Sequence, residues 1–161
     1  MSFRIRHFVT KVRGKFTDFR GTITADPQAW QDAAIEVEIR TASIDTDNEK
    51  RDNHLRSTEF FAVDRFPTIR FRSTWVDRRG DDAKIYGLLT MRGVTKPVVL
   101  DGHFTGLAHS SDGERVGFEA TTTLDRTVYG VTWNRAVEGG GAMLGDDVEV
   151  EISVEAVRST K

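Results

Sequence analysis

Alternation with a period of two constrains this chain more than any other feature. Val148, Val150, Ile152, Val154 and Ala156 are separated by Glu149, Glu151, Ser153 and Glu155. Successive side chains of a strand point to opposite faces, so the run specifies a strand with one apolar and one charged side. The pattern recurs in Ile35, Val37 and Ile39, and again in Ile69, Phe71, Ser73 and Trp75. It returns in Ile85, Gly87, Leu89 and Met91, in Val98, Leu100, Gly102 and Phe104, and in Val116, Phe118, Ala120, Thr122 and Leu124. Phe3, Ile5 and His7 make a short first strand, and Gly21 opens another centred on Ile23. Turn signals separate the runs at Asp26-Pro27, at Gly80-Asp81, at Gly93 and over residues 109–114. The expectation is an all-β fold of about eight antiparallel strands, a number that closes into a barrel able to hold one small ligand. A two-sheet sandwich is the rival architecture.

One stretch breaks the β pattern. The alternation slips near Thr41, which implies a bulge or a strong twist. Thr46-Asp47-Asn48-Glu49 then has the form of a capping box, with Thr46 as N-cap and Glu49 three residues on. The spacing predicts a short helix over residues 47–55, followed by a turn that carries Phe60 and Phe61. Pro67 holds Phe66 extended and returns the chain to a strand. The segment over residues 132–147, with Gly139-Gly140-Gly141, reads as a flexible loop.

The chain has 161 residues, 38% hydrophobic and 30% charged, which suits one globular domain over 1–161 with a real core. A net charge of −2 disfavours general nucleic-acid binding. The basic residues Arg4, Arg6, Lys11, Arg13 and Lys15 read as a solvated strand face. With no cysteine, thiol chemistry, disulfides and Cys-ligated zinc are excluded. No apolar run approaches the roughly 18 residues of a spanning helix. No apolar segment follows the basic start, so a cytoplasmic setting is expected.

Catalytic motifs are absent. No Gly-x-Ser-x-Gly elbow occurs, and no Lys-Ser/Thr follows the glycine run. The four histidines, His7, His54, His103 and His109, lack zinc-helix spacing, so no metal and no cofactor is expected. The polar group of Asp45, Arg51, Asp52 and His54 reads as a capped helix, with an enzyme acting on an amphiphile as the alternative. Asp125 and Arg126 read as a buried ion pair.

Several ordered blocks together resemble the YceI-like family, a lipocalin-like group of polyisoprenoid-binding proteins. They are Phe3-Arg4-Ile5-Arg6-His7, Val12-Arg13-Gly14-Lys15-Phe16, Phe19-x-Gly21, Ser43-Ile44-Asp45-Thr46 and Arg51-Asp52-Asn53-His54-Leu55. Phe60-Phe61, Phe66-Pro67-Thr68-Ile69-x-Phe71 and the run from Gly87 to Pro97 follow. Arg126-x-x-Tyr129-Gly130-Val131 and Gly145-Asp146-x-Val148 complete the set. The family's usual opening, Trp-x-Ile-Asp-x-x-His-Ser, is missing, which implies a shortened first strand or a start upstream.

The resemblance implies an extended eight-stranded lipocalin-like barrel with a short helical segment. It also implies a non-enzymatic role: binding, storage or transport of an isoprenoid lipid of quinone or polyprenyl type. The expected apolar lining is Ile5, Phe19, Ile69, Phe71, Trp75, Leu89, Phe104, Phe118 and Trp133. Arg51, His54 and Arg126 are the expected head-group contacts. Transient membrane contact and a homodimer are further implications. A cavity-filled stress or interaction protein is the remaining alternative.

Overall fold

The computed structural model describes residues 1–26, 28–111 and 113–158. Among them ten strands form a single antiparallel sheet. They are β1 (Ser2–His7), β2 (Thr10–Phe16), β3 (Phe19–Thr24), β4 (Ala34–Arg40), β5 (Ile44–Asp45), β6 (Thr68–Arg79), β7 (Asp82–Met91), β8 (Val94–Ser110), β9 (Gly113–Asp125) and β10 (Leu144–Val157). Their order across the sheet is β3-β4-β6-β7-β8-β9-β10-β1-β2-β5. The single α-helix among the described residues, α1 (Glu49–Arg56), follows β5. The sheet curls around an apolar interior, in keeping with the lipocalin-like expectation.

The strand count is ten rather than eight. Thr10–Phe16 is a strand of its own, joined to β1 through the two-residue turn Phe8-Val9. Neither residue is a usual turn former, so the hairpin leaves no sequence signal. Ile44–Asp45 is also separate, because a 3₁₀ turn at Thr41–Ser43 interrupts the line of β4. This turn is the slip visible in the alternation. Thr17-Asp18 breaks the line between β2 and β3 at the same level. The two breaks are bonded together: Thr17 N–H donates to Ser43 O at 3.2 Å, and Arg40 N–H to Asp18 O at 2.9 Å. The expected turn at Asp26-Pro27 includes Pro27, which lies outside the described residues.

A bulge in β6 corrects the expected orientation of Trp75. Ser73 pairs with Gly87, but Trp75 pairs with Tyr86, so Thr74 is the extra residue. One extra residue reverses side-chain parity. Val76 is therefore 4% exposed and faces inward, while Trp75 is 49% exposed on the outer surface. Ser73 anchors the bulge. Its hydroxyl accepts from Ile35 N–H at 2.8 Å and donates to Ala33 O at 2.8 Å. It continues the β4–β6 contact where the backbone ladder ends at Glu36–Arg72. A second bulge at Thr105 shifts β8 against β9.

The helix is capped by Asn48, not Thr46. Asn48 Oδ1 accepts from Arg51 N–H at 2.9 Å. Asp47 takes a positive φ of 57°, which carries the chain past the predicted cap before the first turn begins. Thr46 instead donates its hydroxyl to Asp52 Oδ1 at 2.5 Å, and its N–H to the same oxygen at 2.9 Å.

The glycine-rich loop is also more organised than expected. Ala136 and Ala142 form a β-bridge. Asn134 closes its base, donating to Leu144 O and accepting from Leu144 N–H, both at 2.9 Å.

Candidate functional site

The inward faces of all ten strands surround a cavity of about 1070 Å³. It extends from α1 at one end, the cap end, to the β6–β7 turn at the other. Ile5, Phe19, Ile69, Phe71, Leu89, Phe104, Phe118 and Trp133 all border it, whereas Trp75 does not. Val76 takes the inward place expected for Trp75. Val12, Phe16, Val37, Leu55, Phe61 and Leu100 also border the cavity without having been singled out. The period-two alternation of β4 and β8 could have found Val37 and Leu100, whereas Phe16 lies on β2, whose hairpin leaves no sequence signal.

Two glycines keep aromatic rings against the wall. A Cβ at Gly87 would fall 2.5 Å from the Phe71 ring, and one at Gly14 would fall 2.3 Å from Phe3 Cζ. Each ring therefore occupies the space that a side chain on the adjacent strand would take, instead of projecting fully into the lumen. Phe3, Phe16 and Phe61 continue this aromatic surface, with centroids 5.8 and 6.0 Å apart. Phe104 and Phe118 pair 5.8 Å apart on β8 and β9.

The cap end is held by arginines that bond to backbone carbonyls. Arg56 donates to Ala42 O and Ile44 O at 2.9 and 2.8 Å. Arg92 donates to Gly130 O and Thr58 O at 2.7 and 2.9 Å, tying the segment after α1 to the loop after β9. Arg126, only 4% exposed, donates to Gly145 O at 2.8 Å, Val131 O at 2.7 Å and Trp133 O at 2.9 Å. The expected Asp125–Arg126 ion pair does not form. Asp125 Oδ1 accepts from the Thr127 hydroxyl at 2.5 Å and its N–H at 2.8 Å, which holds the carboxyl below its ordinary range. The carboxylate nearest Arg126 is Asp146, at 3.7 Å. Burial lowers the Arg126 pKa, opposed by Asp146 and Asp125.

The other expected head-group residues lie beside this brace. Arg51 borders the cavity and donates from Nε to Thr46 Oγ1 and from Nη2 to Thr46 O, both at 2.7 Å. His54 lies edge-on to Trp133 and Phe60, at 4.8 and 5.0 Å between centroids, and meets Glu59 Oε2 at 2.5 Å. The structure thus brings His54 and Trp133 into contact, although they are far apart in sequence. Thr46, Asn48 and Lys50 add polar groups at this end, and Arg78, Asp81 and His103 do so at the far end. Trp30 also borders the far end, with the Arg78 guanidinium 4.6 Å from its ring centroid.

One flank is less tightly closed. Among the described residues, β3 is hydrogen-bonded only to β4, and β10 beyond Glu151 only to β9. The cavity touches the consecutive β3 residues Phe19, Arg20, Gly21, Thr22 and Ile23, so it meets an edge there rather than a single strand face. Among the described residues no three His, Asp or Glu side chains converge as a metal site.

Comparison with known proteins gives consistent matches. The model of the YceI-like domain matches residues 1–156. A UPF0312 protein of Staphylococcus aureus (strain USA300) is 38% identical over 158 residues, covering 96% of this chain and 90% of that protein. The crystal structure of the Campylobacter jejuni YceI protein superimposes with a TM-score of 0.78 at 29% identity, covering 94% of this chain and 87% of the other. A polyisoprenoid binding domain from Saccharophagus degradans has a TM-score of 0.71 at 12% identity, covering 96% and 90%. That last likeness concerns the fold alone.

Proposed function

This chain belongs to the YceI-like family, and on that premise we propose that it is a non-catalytic binding protein for an isoprenoid-type lipid. The carrying observation is the continuous cavity of about 1070 Å³, bordered by apolar residues from every strand. Typical sites for small ligands occupy roughly 300–1,000 Å³, so this one suits a large guest. The lipid's chain lies along Ile5, Ile69, Phe71, Leu89, Phe104 and Phe118. Its polar head rests at the cap end near Arg51 and His54. Arg126 also borders the cavity, but its Nε and Nη1 are engaged by backbone carbonyls, which gives it a bracing task in this reading, with Nη2 left without a hydrogen-bond partner.

The energetics suit a carrier or store. Burying a methylene from water is worth about 0.8 kcal/mol, but a lipid leaving a bilayer is already out of water. The protein needs only to offer comparable solvation, and a smooth apolar lumen does so without directional contacts. A quinone or polyprenyl compound has the required shape. The shared fold of the Saccharophagus degradans polyisoprenoid binding domain supports this choice of class.

Organic extraction of the purified protein followed by mass spectrometry tests the reading. A copurifying isoprenoid, or uptake of a long-chain ubiquinone or menaquinone by emptied protein, is expected. Failure of both would refute it. His54→Ala is expected to weaken retention of the quinone. Turnover of an amphiphile that His54→Ala abolishes while binding persists would show an enzyme instead.

A further inference from the structure

The β1–β2 turn is an exposed apolar tip held in an unfavourable backbone conformation. Phe8 has a φ of 53°, in the left-handed region where glycine is the usual occupant. It is 46% exposed, and the following Val9 is 97% exposed. A Gly or Asn-Gly turn would relieve the backbone and remove the apolar surface together. The conformation is fixed from its neighbours. Phe8 N–H donates to Met143 O at 2.7 Å, and Arg6 Nη1 donates to Phe8 O at 3.1 Å. The Phe8 ring rests edge-on to His7, 4.8 Å between centroids, and leaves its other side and all of Val9 to solvent.

Its surroundings are cationic. Arg6, Lys11, Arg13 and Arg135 are exposed on or beside the hairpin. Lys11 is neutralised by Glu149 at 2.7 Å. The Arg6 guanidinium meets only backbone oxygens, those of Phe8 and Ala142. The side chains of Arg13 and Arg135 have no carboxylate partner among the described residues, and the exposed acidic residues nearby are Glu138 of the adjoining loop and Asp146 and Asp147 at the start of β10. An aromatic and a β-branched residue exposed beside guanidinium groups that lack a carboxylate partner match the layering of an anionic bilayer, with acyl chains inside and phosphates outside. Next to the tip, His7, Val12 and Met143 border the cavity.

We propose that the Phe8-Val9 turn is a membrane-docking tip that inserts into the interface of an anionic bilayer while Arg6, Arg13 and Arg135 meet the lipid phosphates. Docking would set the cap end of the cavity against the lipid surface. The proposal stands apart from what fills the cavity, because its test reads the vesicle and not the guest.

The experiment is sedimentation of the full chain with sucrose-loaded vesicles, made either of phosphatidylcholine alone or with a minority of phosphatidylglycerol. The parent protein should pellet with the anionic vesicles, less so as salt rises. The double change Phe8→Gly and Val9→Asp should lower that binding by about tenfold or more. Both residues suit the turn, so its thermal midpoint should equal or exceed the parent's, which separates lost docking from lost folding. Because the chain contains no cysteine, Val9→Cys can carry a single polarity-sensitive fluorophore, whose emission should shift to the blue on vesicle addition. The proposal is overturned if the parent stays in the supernatant, if the double variant binds as the parent does, or if the label at position 9 remains in water on bound protein. A tip that captured a purified protein partner yet ignored both vesicles would overturn it equally.

Discussion

Replacing Arg126 with methionine should loosen the cap more than any other single change at that end. Methionine approximates the length of the side chain but strips three backbone oxygens, those of Val131, Trp133 and Gly145, of their donor. A buried acceptor left unpaired costs roughly 1–3 kcal/mol. Val131 is almost fully buried, while Trp133 and Gly145 are half-buried and water can recover part of their loss. The sum, reduced for that recovery and for the charge no longer buried, is about 3–5 kcal/mol. For a chain of this size each kcal/mol moves the thermal midpoint by roughly 2–4 °C, so a fall of about 10 °C is expected. Urea unfolding followed by circular dichroism measures it, with an unchanged m-value showing that only stability has moved. Trp133 adds a local report, since its fluorescence should change as the ring leaves His54 and Phe60. Arg126→Lys should recover little, because an ammonium lacks the planar fork that reaches carbonyls on both sides. A loss below about 1 kcal/mol for Arg126→Met, or full stability in Arg126→Lys, would show that these bonds do not hold the cap.

Three further outcomes follow from individual contacts. Asn48→Ala should cost about 1 kcal/mol in urea unfolding and Asn48→Asp much less, whereas removing the Glu49 carboxylate should have little effect on the cap. Gly87→Ala should destabilise by about 1–3 kcal/mol, because the new methyl meets both the Phe71 ring and the Arg72 carbonyl, 2.6 Å away. At Gly14→Ala the nearest atoms all belong to the Phe3 ring, so the change should cost less, and a crystal structure of the variant should show that ring displaced. Finally, the hydrogen bond to Asp82, at 2.7 Å, raises the His103 imidazole above its ordinary value of 6.5. Its small contribution to stability is complete below the unfolded value and is lost as pH rises through the folded one. An NMR titration of the ring should show the raised midpoint, and Asp82→Asn should bring it down.

Much of the fold is legible from parity alone. Unbroken runs such as β10 state which side faces in, and the glycines among them leave the pattern intact. Parity fails where one residue is inserted, because a bulge has no composition of its own. Thr74 resembles its neighbours, yet it sends Trp75 outward. β2 escaped notice because Phe8-Val9 lacks the residues that ordinarily mark a hairpin. The predicted capping box failed for a local reason, the positive φ of Asp47. At the site, the inward aromatic residues could be read from the strands that carry them. The meeting of His54 with Trp133 could not, since the ties that enforce it join segments distant in sequence. Arg126 illustrates the same limit: its type suggests an ion pair, and only the folded backbone reveals that its partners are carbonyls.

The way Arg56, Arg92 and Arg126 fasten the cap has a consequence for how this protein can vary. Their cap bonds end on main-chain oxygen, which every amino acid supplies. The recipient positions Ala42, Ile44, Thr58, Val131 and Trp133 can therefore change side chain without losing the fastening, provided the backbone path is kept. Gly130 is the exception, since it has a φ of 78° and a Cβ there would fall 2.9 Å from Arg92 Nη1. Neither a guanidinium nor a carbonyl changes protonation across the physiological range. These ties are thus indifferent to acidity and permissive toward substitution at most of their receiving positions. Residues that face the lumen can be retuned for a different guest while three arginines hold the frame.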